Sequence, residues 1–162
     1  MSKRKITVNI SDAKLSSDPS AVIATFSLGS CIGVCLYDKA AHTGGMLHYL
    51  LPNSAENCQQ AKEKPFMYAD TGMKILLEKL MSMGVNKKRI QVKIAGGGAP
   101  LKVTAKGFDI GKRNYLAIRK ILWKNGMFIN AEDVGGSSPR TLYMSIANGD
   151  VTIRTNGVER SL

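Results

Sequence analysis

The stretch TFSLGSCIGVCLYD, residues 25–38, breaks an apolar run at Gly29-Ser30 and sets Cys31 directly after the break. The next apolar run, GGMLHYLLP, carries His48. A thiol and an imidazole are two of the three parts of a nucleophilic amidase. The sulfur attacks a carbonyl carbon, the histidine takes and returns the proton, and a third polar group orients the imidazole. The sequence holds two histidines, and His42 lies in a polar link, so His48 is the candidate base. The third group is open among Asp38, Thr25, Ser27, Asp109 and Asp133, because spacing does not choose between them. Gly29 and Ser30, with Ser27 close by, leave room for a substrate to approach. A turn there can aim consecutive amide N–H groups at a developing oxyanion.

Other candidates carry less. Cys35 reads as strand filling, and Cys58 sits in a polar segment with no base nearby. Cys31 and Cys35 form a CxxxC pair with no second Cys or His pair at ligand spacing, so no metal is predicted. KIAGGGAPLK lacks both the GK[ST] of a P-loop and GxGxxG, and Pro100 removes an amide donor. It reads as a tight turn, and no cofactor is predicted.

Those residues need elements to hold them. Segments 22–27 and 32–38 are rich in β-branched and aromatic residues and bounded by turn chemistry, so they read as strands. The link 39–43 suits a hairpin to a third strand, 46–51. Along a strand 46–51, Met46, His48 and Leu50 share one face, and a slip of one residue would turn the imidazole away. Residues 53–64 read as a surface loop. Helical spacing predicts a helix over 67–83, with Ala69, Met73, Leu76, Leu77 and Leu80 on its stripe and Gly84 as its stop. Alternation predicts a strand at 90–94, and a second helix follows over 112–124. Strands at 127–131, 141–147 and 151–155 complete the order, the last two joined at Asn148-Gly149. The tail from 156 reads as frayed. The class is α+β, with mixed or antiparallel sheets packed together and about two flanking helices, in one domain over 1–162.

Composition narrows the function classes. The chain has 162 residues, 44% of them apolar, and a net charge of +11. No apolar run approaches the ~20 residues of a membrane span, and no apolar block follows Arg4, so no export is predicted. A cytoplasmic location with reduced thiols follows. The basic charge points to an anionic partner. Nucleic acid, an acidic protein surface and plain solvated faces all remain open from the charge, although aromatics are only 6% and no DNA-reading motif is present.

The ordered set TFSLGSC, GGMLHYLLP, YADTGMKILLEKLMSMG, KIAGGGA, FDIGKRN and AEDVGG resembles the chemoreceptor glutamine deamidase family, CheD, across most of the chain. The resemblance implies a Cys-His-Thr site of Cys31, His48 and Thr25. It implies the mixed-sheet fold shared with cytotoxic necrotizing factor toxins. The implied activity is conversion of receptor glutamines to glutamate, with glutamyl methyl ester hydrolysis as a side activity. The implied partners are acidic helical hairpins of chemoreceptors and the chemotaxis phosphatase CheC. A non-catalytic adaptor regulating that phosphatase is the alternative. Where the family commonly has a Met-Phe pair after the glycines, this chain has Pro100-Leu101.

Overall fold

The computed structural model describes residues 2–99 and 109–162; Pro100-Leu101 lies outside them. Among the described residues, ten strands form two five-stranded mixed sheets. The first holds β1 (Arg4–Val8), β3 (Ala21–Leu28), β8 (Arg140–Ser145), β9 (Val151–Thr155) and β10 (Val158–Ser161), in that spatial order. The second runs β2 (Asp12–Ser16), β5 (Thr43–Tyr49), β4 (Ile32–Asp38), β6 (Gln91–Gly96) and β7 (Ile129–Val134). The α-helices among the described residues are α1 (Cys58–Glu63), α2 (Ala69–Ser82) and α3 (Ile110–Lys124), beside three short 3-10 turns. The α+β class with packed mixed sheets is therefore found.

Burial explains why β4 and β5 carry so little polar character: every residue of both is buried. One face of the second sheet meets the first sheet, and the other meets α2 and α3. Ile32, Val34, Leu36, Leu47 and Tyr49 pack with Met73, Leu76, Leu80, Ile118 and Leu122 of the helices. Cys31, Cys35, Tyr37 and Met46 pack with Ile23, Leu28, Leu142 and Met144 of the first sheet. Strict alternation along each strand separates the two sets. Each fully buried aliphatic side chain contributes about 1.5–3 kcal/mol.

Helix α2 buries the predicted stripe and ends before Gly84, whose φ is +92°. In α3 the buried face is Gly111, Asn114, Ile118 and Leu122, with Tyr115 and Ile121 only partly buried. The α3 start is capped by the Asp109 side chain, which accepts from the Lys112 N–H.

Two expectations are corrected, and two strands carried no expectation. Residues 53–64 contain α1, capped by the side chain of Asn57, which accepts from the Gln60 N–H. The tail is not frayed, because Val158–Ser161 pairs antiparallel with β9. Asn156-Gly157 makes its turn, with φ of +51° and +77°. Every residue of β10 is exposed, so burial left no pattern to read, although the Asn-Gly dipeptide was a hairpin signal. Lastly, β1 and β2 went unread because both are half-exposed edge strands of mixed polarity.

Backbone proximity at Gly96 ties the sheet to the Cys31 turn. Its φ is +113°, and a Cβ there would lie 2.1 Å from the Cys31 carbonyl oxygen. Gly96→Ala thus forces both strain and displacement of that turn. It is expected to cost about 2–3 kcal/mol and to lower Tm by roughly 5–10 °C, measured by thermal denaturation beside the wild type.

Candidate active site

Strand β3 enters the site with Thr25 fully buried. The pairing of β3 with β8 then slips between Thr25 and Leu28. At this bulge Ser27 has φ +58° and is exposed. Gly29 and Ser30 turn the chain over to the second sheet, and Cys31 stands at the threshold of β4, 7% exposed. The turn is held by three consecutive carbonyl oxygens. Gly29 O accepts from the Gly98 N–H at 2.8 Å and Cys31 O from the Gly97 N–H at 2.9 Å. Ser30 O accepts from the Asn114 side chain at 2.9 Å. Among the described residues, the N–H groups of Ser30 and Cys31 donate to no backbone carbonyl.

Strand β5 brings His48. In the antiparallel β4–β5 pair, Gly33 faces His48 and Ile32 faces Tyr49. His48 therefore shares the face of Met46, which looks between the sheets with Cys31 and Cys35. Cys31 and His48 are diagonal neighbours on that face, an arrangement with Cβ atoms about 7 Å apart. Gly33, directly opposite His48, puts no side chain between them. The register that sequence reading left open is the one that brings the two together.

The imidazole is fully buried. Its Nδ1 lies 2.7 Å from the hydroxyl of Thr25, and that hydroxyl donates to the carbonyl oxygen of Val8 at 2.8 Å. A hydroxyl has one proton to give, and a carbonyl oxygen only accepts. With that proton on Val8, Nδ1 must be the N–H donor to Thr25. The remaining nitrogen, Nε2, then carries the lone pair, and among the described residues it is buried without a hydrogen-bond partner. No thiol hydrogen bond closes the pair in this structure.

Electrostatics follow from burial. Desolvation pulls the His48 pKa down to about 4, against a smaller upward pull from Asp12, its neighbour on β2. Burial raises the Cys31 thiol pKa, and its own backbone N–H offsets part of this. The resting pair is a neutral thiol beside a neutral imidazole, so the thiolate forms only as the proton is taken. Cys35 is deeper, and burial pushes its thiol to about 12.

Of the five polar groups open at the sequence level, Thr25 is the one bonded to His48. Asp38 is engaged by Arg89. Asp133 is engaged by Arg140 and Arg160, and Asp109 caps α3. Ser27 faces solvent at the bulge. Cys58 is exposed on α1, and His42 lies in the β4–β5 link with φ +47°. Sequence reasoning missed Asn114 and Val8. Asn114 had a signal, a polar residue on the inner face of an amphipathic helix. Val8 acts through its backbone and had none. Among the described residues no His, Cys, Asp and Glu cluster could hold a metal, and no helix is long and apolar enough to cross a membrane.

Comparison with known proteins gives one family. Residues 50–155 match the family model described as CheD chemotactic sensory transduction. A probable chemoreceptor glutamine deamidase CheD of Solibacter usitatus is 44% identical, over 98% of this chain and 93% of that protein. The corresponding protein 1 of Syntrophus aciditrophicus is 41% identical over 94% of each chain. One from Methanococcus vannielii is 37% identical over 92% of this chain and 94% of its own. With the family model spanning more than half its length and these relatives nearly all of it, this chain belongs to the CheD family.

Proposed function

We propose that this protein deamidates glutamine side chains of chemoreceptors, with Cys31 as nucleophile, His48 as general base and acid, and Thr25 as the group that orients the imidazole. One observation carries the reading. The chain from Val8 O through the Thr25 hydroxyl to His48 Nδ1 leaves Nε2 as a free base on the face shared with Cys31. The names of the relatives supply the substrate class.

The chemistry runs in two halves. Nε2 takes the thiol proton as Sγ bonds to the carboxamide carbon, and the carbonyl π pair moves onto oxygen. The N–H groups of Ser30 and Cys31 stabilise that oxyanion. The C–N bond then breaks, Nε2–H protonates the departing ammonia, and a thioester remains. Water attacks the thioester, Nε2 takes its proton, and the returning proton restores the thiol as glutamate leaves. Imidazolium with a pKa near 4 is a strong acid toward ammonia, so burial that weakens His48 as a base sharpens it for the second step. The same attack opens a glutamyl methyl ester.

The surface fits the partner. A net charge of +11 steers the enzyme to acidic helical receptor hairpins, and salt weakens the encounter. A cytoplasmic location follows from such a substrate, and CheC is a further partner of this reading. The adaptor alternative is separated by Cys31→Ala, which keeps partner binding and loses conversion.

Mass spectrometry of a receptor fragment after incubation tests the activity, since each converted glutamine gains about one dalton. Cys31→Ala should abolish the gain, and Thr25→Val should slow it about 10²-fold. An unchanged fragment with wild-type enzyme would sink the reading.

Burial of neutral His48 also predicts a pH dependence of stability. Its pKa is about 4 folded and about 6.5 free. Between these values the unfolded chain binds more protons. Stability is therefore full above pH 6.5 and falls by about 3 kcal/mol as pH drops toward 4. His48→Gln should remove this slope from the denaturant midpoint measured against pH. Parallel curves for the two proteins would contradict a buried neutral imidazole.

A further inference from the structure

The segment Gly111-Lys112-Arg113-Asn114 opens α3, and no step of the proposed reaction uses it. Asn114 is nevertheless fully buried. Its Nδ2 donates to Ser30 O and to Leu50 O, both at 2.9 Å. Ser30 immediately precedes Cys31, and Leu50 follows His48 by two positions. One side-chain amide thus joins the turn that presents the sulfur to the strand end that presents the imidazole. Both acceptors are carbonyl oxygens, so the NH₂ group must face them. Among the described residues, the other end of the amide, Oδ1, is buried with no partner. An unpaired buried acceptor is costly, and a residue kept at that cost marks the two bonds its other end makes.

The start of α3 is built to deliver this side chain. A Cβ at Gly111 would lie 2.3 Å from the carbonyl oxygen of Gly98 and 2.6 Å from that of Gly97. Only glycine lets the first helical turn seat on that loop. Gly97 and Gly98 in turn hold the carbonyls of Cys31 and Gly29. The carbonyl between those two, Ser30 O, is the one that Asn114 takes. The Tyr49 hydroxyl donates to the Asn114 backbone oxygen, a bond separate from the two that Nδ2 makes.

We propose that Asn114 is a positioning residue of this site: its side-chain amide ties the Cys31 turn to the end of the His48 strand and so sets the separation of sulfur and imidazole. The inference rests on the deamidase reading above. It goes beyond it in assigning to α3, an element outside both active strands, control over the approach of the two groups. A shift of about 1 Å between reacting groups is enough to cost roughly 10²-fold in rate.

The test uses Asn114→Ala and Asn114→Asp in the full chain, with Tyr49→Phe as the control that keeps both Nδ2 bonds. Each is assayed on the receptor fragment at a temperature well below its measured Tm. Both Asn114 variants should lose kcat by about 30–100-fold with KM within about twofold, while Tyr49→Phe stays within about threefold of wild type. Asp at 114 presents an acceptor to two acceptors. Its activity relative to wild type should recover as pH falls from 8 to 5, because protonation restores one donor. That recovery is a readout that a general packing role would not produce. Folded Asn114 variants with wild-type kcat, or a loss of kcat equal in Tyr49→Phe, overturn the inference and leave the deamidase reading standing. Failure of both Asn114 variants to fold assigns the residue to the fold as a whole and also overturns it. A wild-type enzyme inactive on the fragment instead sinks the deamidase reading itself.

Discussion

The hydroxyl of Thr25 has one proton, and the Val8 carbonyl oxygen, which can only accept, lies 2.8 Å from it. Everything at the site follows from where that proton goes. It makes Thr25 an acceptor toward Nδ1, fixes the tautomer of His48, and leaves Nε2 bare. A carboxylate in the same place would also accept from Nδ1, but it would bring a charge into a fully buried pocket. There it would hold His48 protonated, the wrong state for a base. A hydroxyl relayed to a backbone carbonyl orients the ring while leaving it neutral. Because Val8 ends β1 and Thr25 lies on β3, the parallel pairing of these strands, with Val8 opposite Thr25, is part of the site.

The same logic explains what could be read from residues alone. β4 and β5 were legible because a sheet covered on both faces demands apolar strands, and Cys31 and His48 stood out against that background. The helical stripes were legible for the same reason. Thr25 stayed one candidate among five because its role depends on the Val8 carbonyl, and a backbone acceptor has no signature in sequence. β1 and β2 stayed hidden because a half-exposed edge strand need not alternate. Asn114 was passed over because a helix pattern registers apolar positions, and a buried amide counts there as a break in the stripe. Family likeness put Cys31, His48 and Thr25 in one group. The Thr25–His48 bond and the diagonal placement of Cys31 come from register, which one-residue slips would destroy.

Two costs are concentrated in this region. His48 Nε2 and Asn114 Oδ1 are the buried side-chain polar atoms left without partners among the described residues. One belongs to the imidazole and the other to the amide that brackets it. Elsewhere buried polar groups are satisfied. Asp38, fully buried, is driven up by desolvation, yet bonds from Arg89 and from the amides of Asn86 and Ala41 hold its pKa at about 2. The contrast is physical. Asp38 is a closed network that fastens the β4 end to the segment before β6, whereas the two orphaned atoms keep hydrogen-bonding capacity in reserve.

Reserve capacity has a consequence for how the thiol is activated. A thiolate–imidazolium pair at rest would require two charges in a cleft where Cys31 is 7% exposed and His48 not at all. Burial acts against both, raising the thiol and lowering the imidazole. In the reaction proposed above, proton transfer is therefore tied to attack: the charge leaving sulfur would pass directly to an oxyanion beside the Ser30 and Cys31 amides. A thiol held neutral by burial is a poor nucleophile at rest. Any group that reaches the sulfur must do so through the small exposed part of Cys31, so the Gly29-Ser30 turn in front of it limits what can approach.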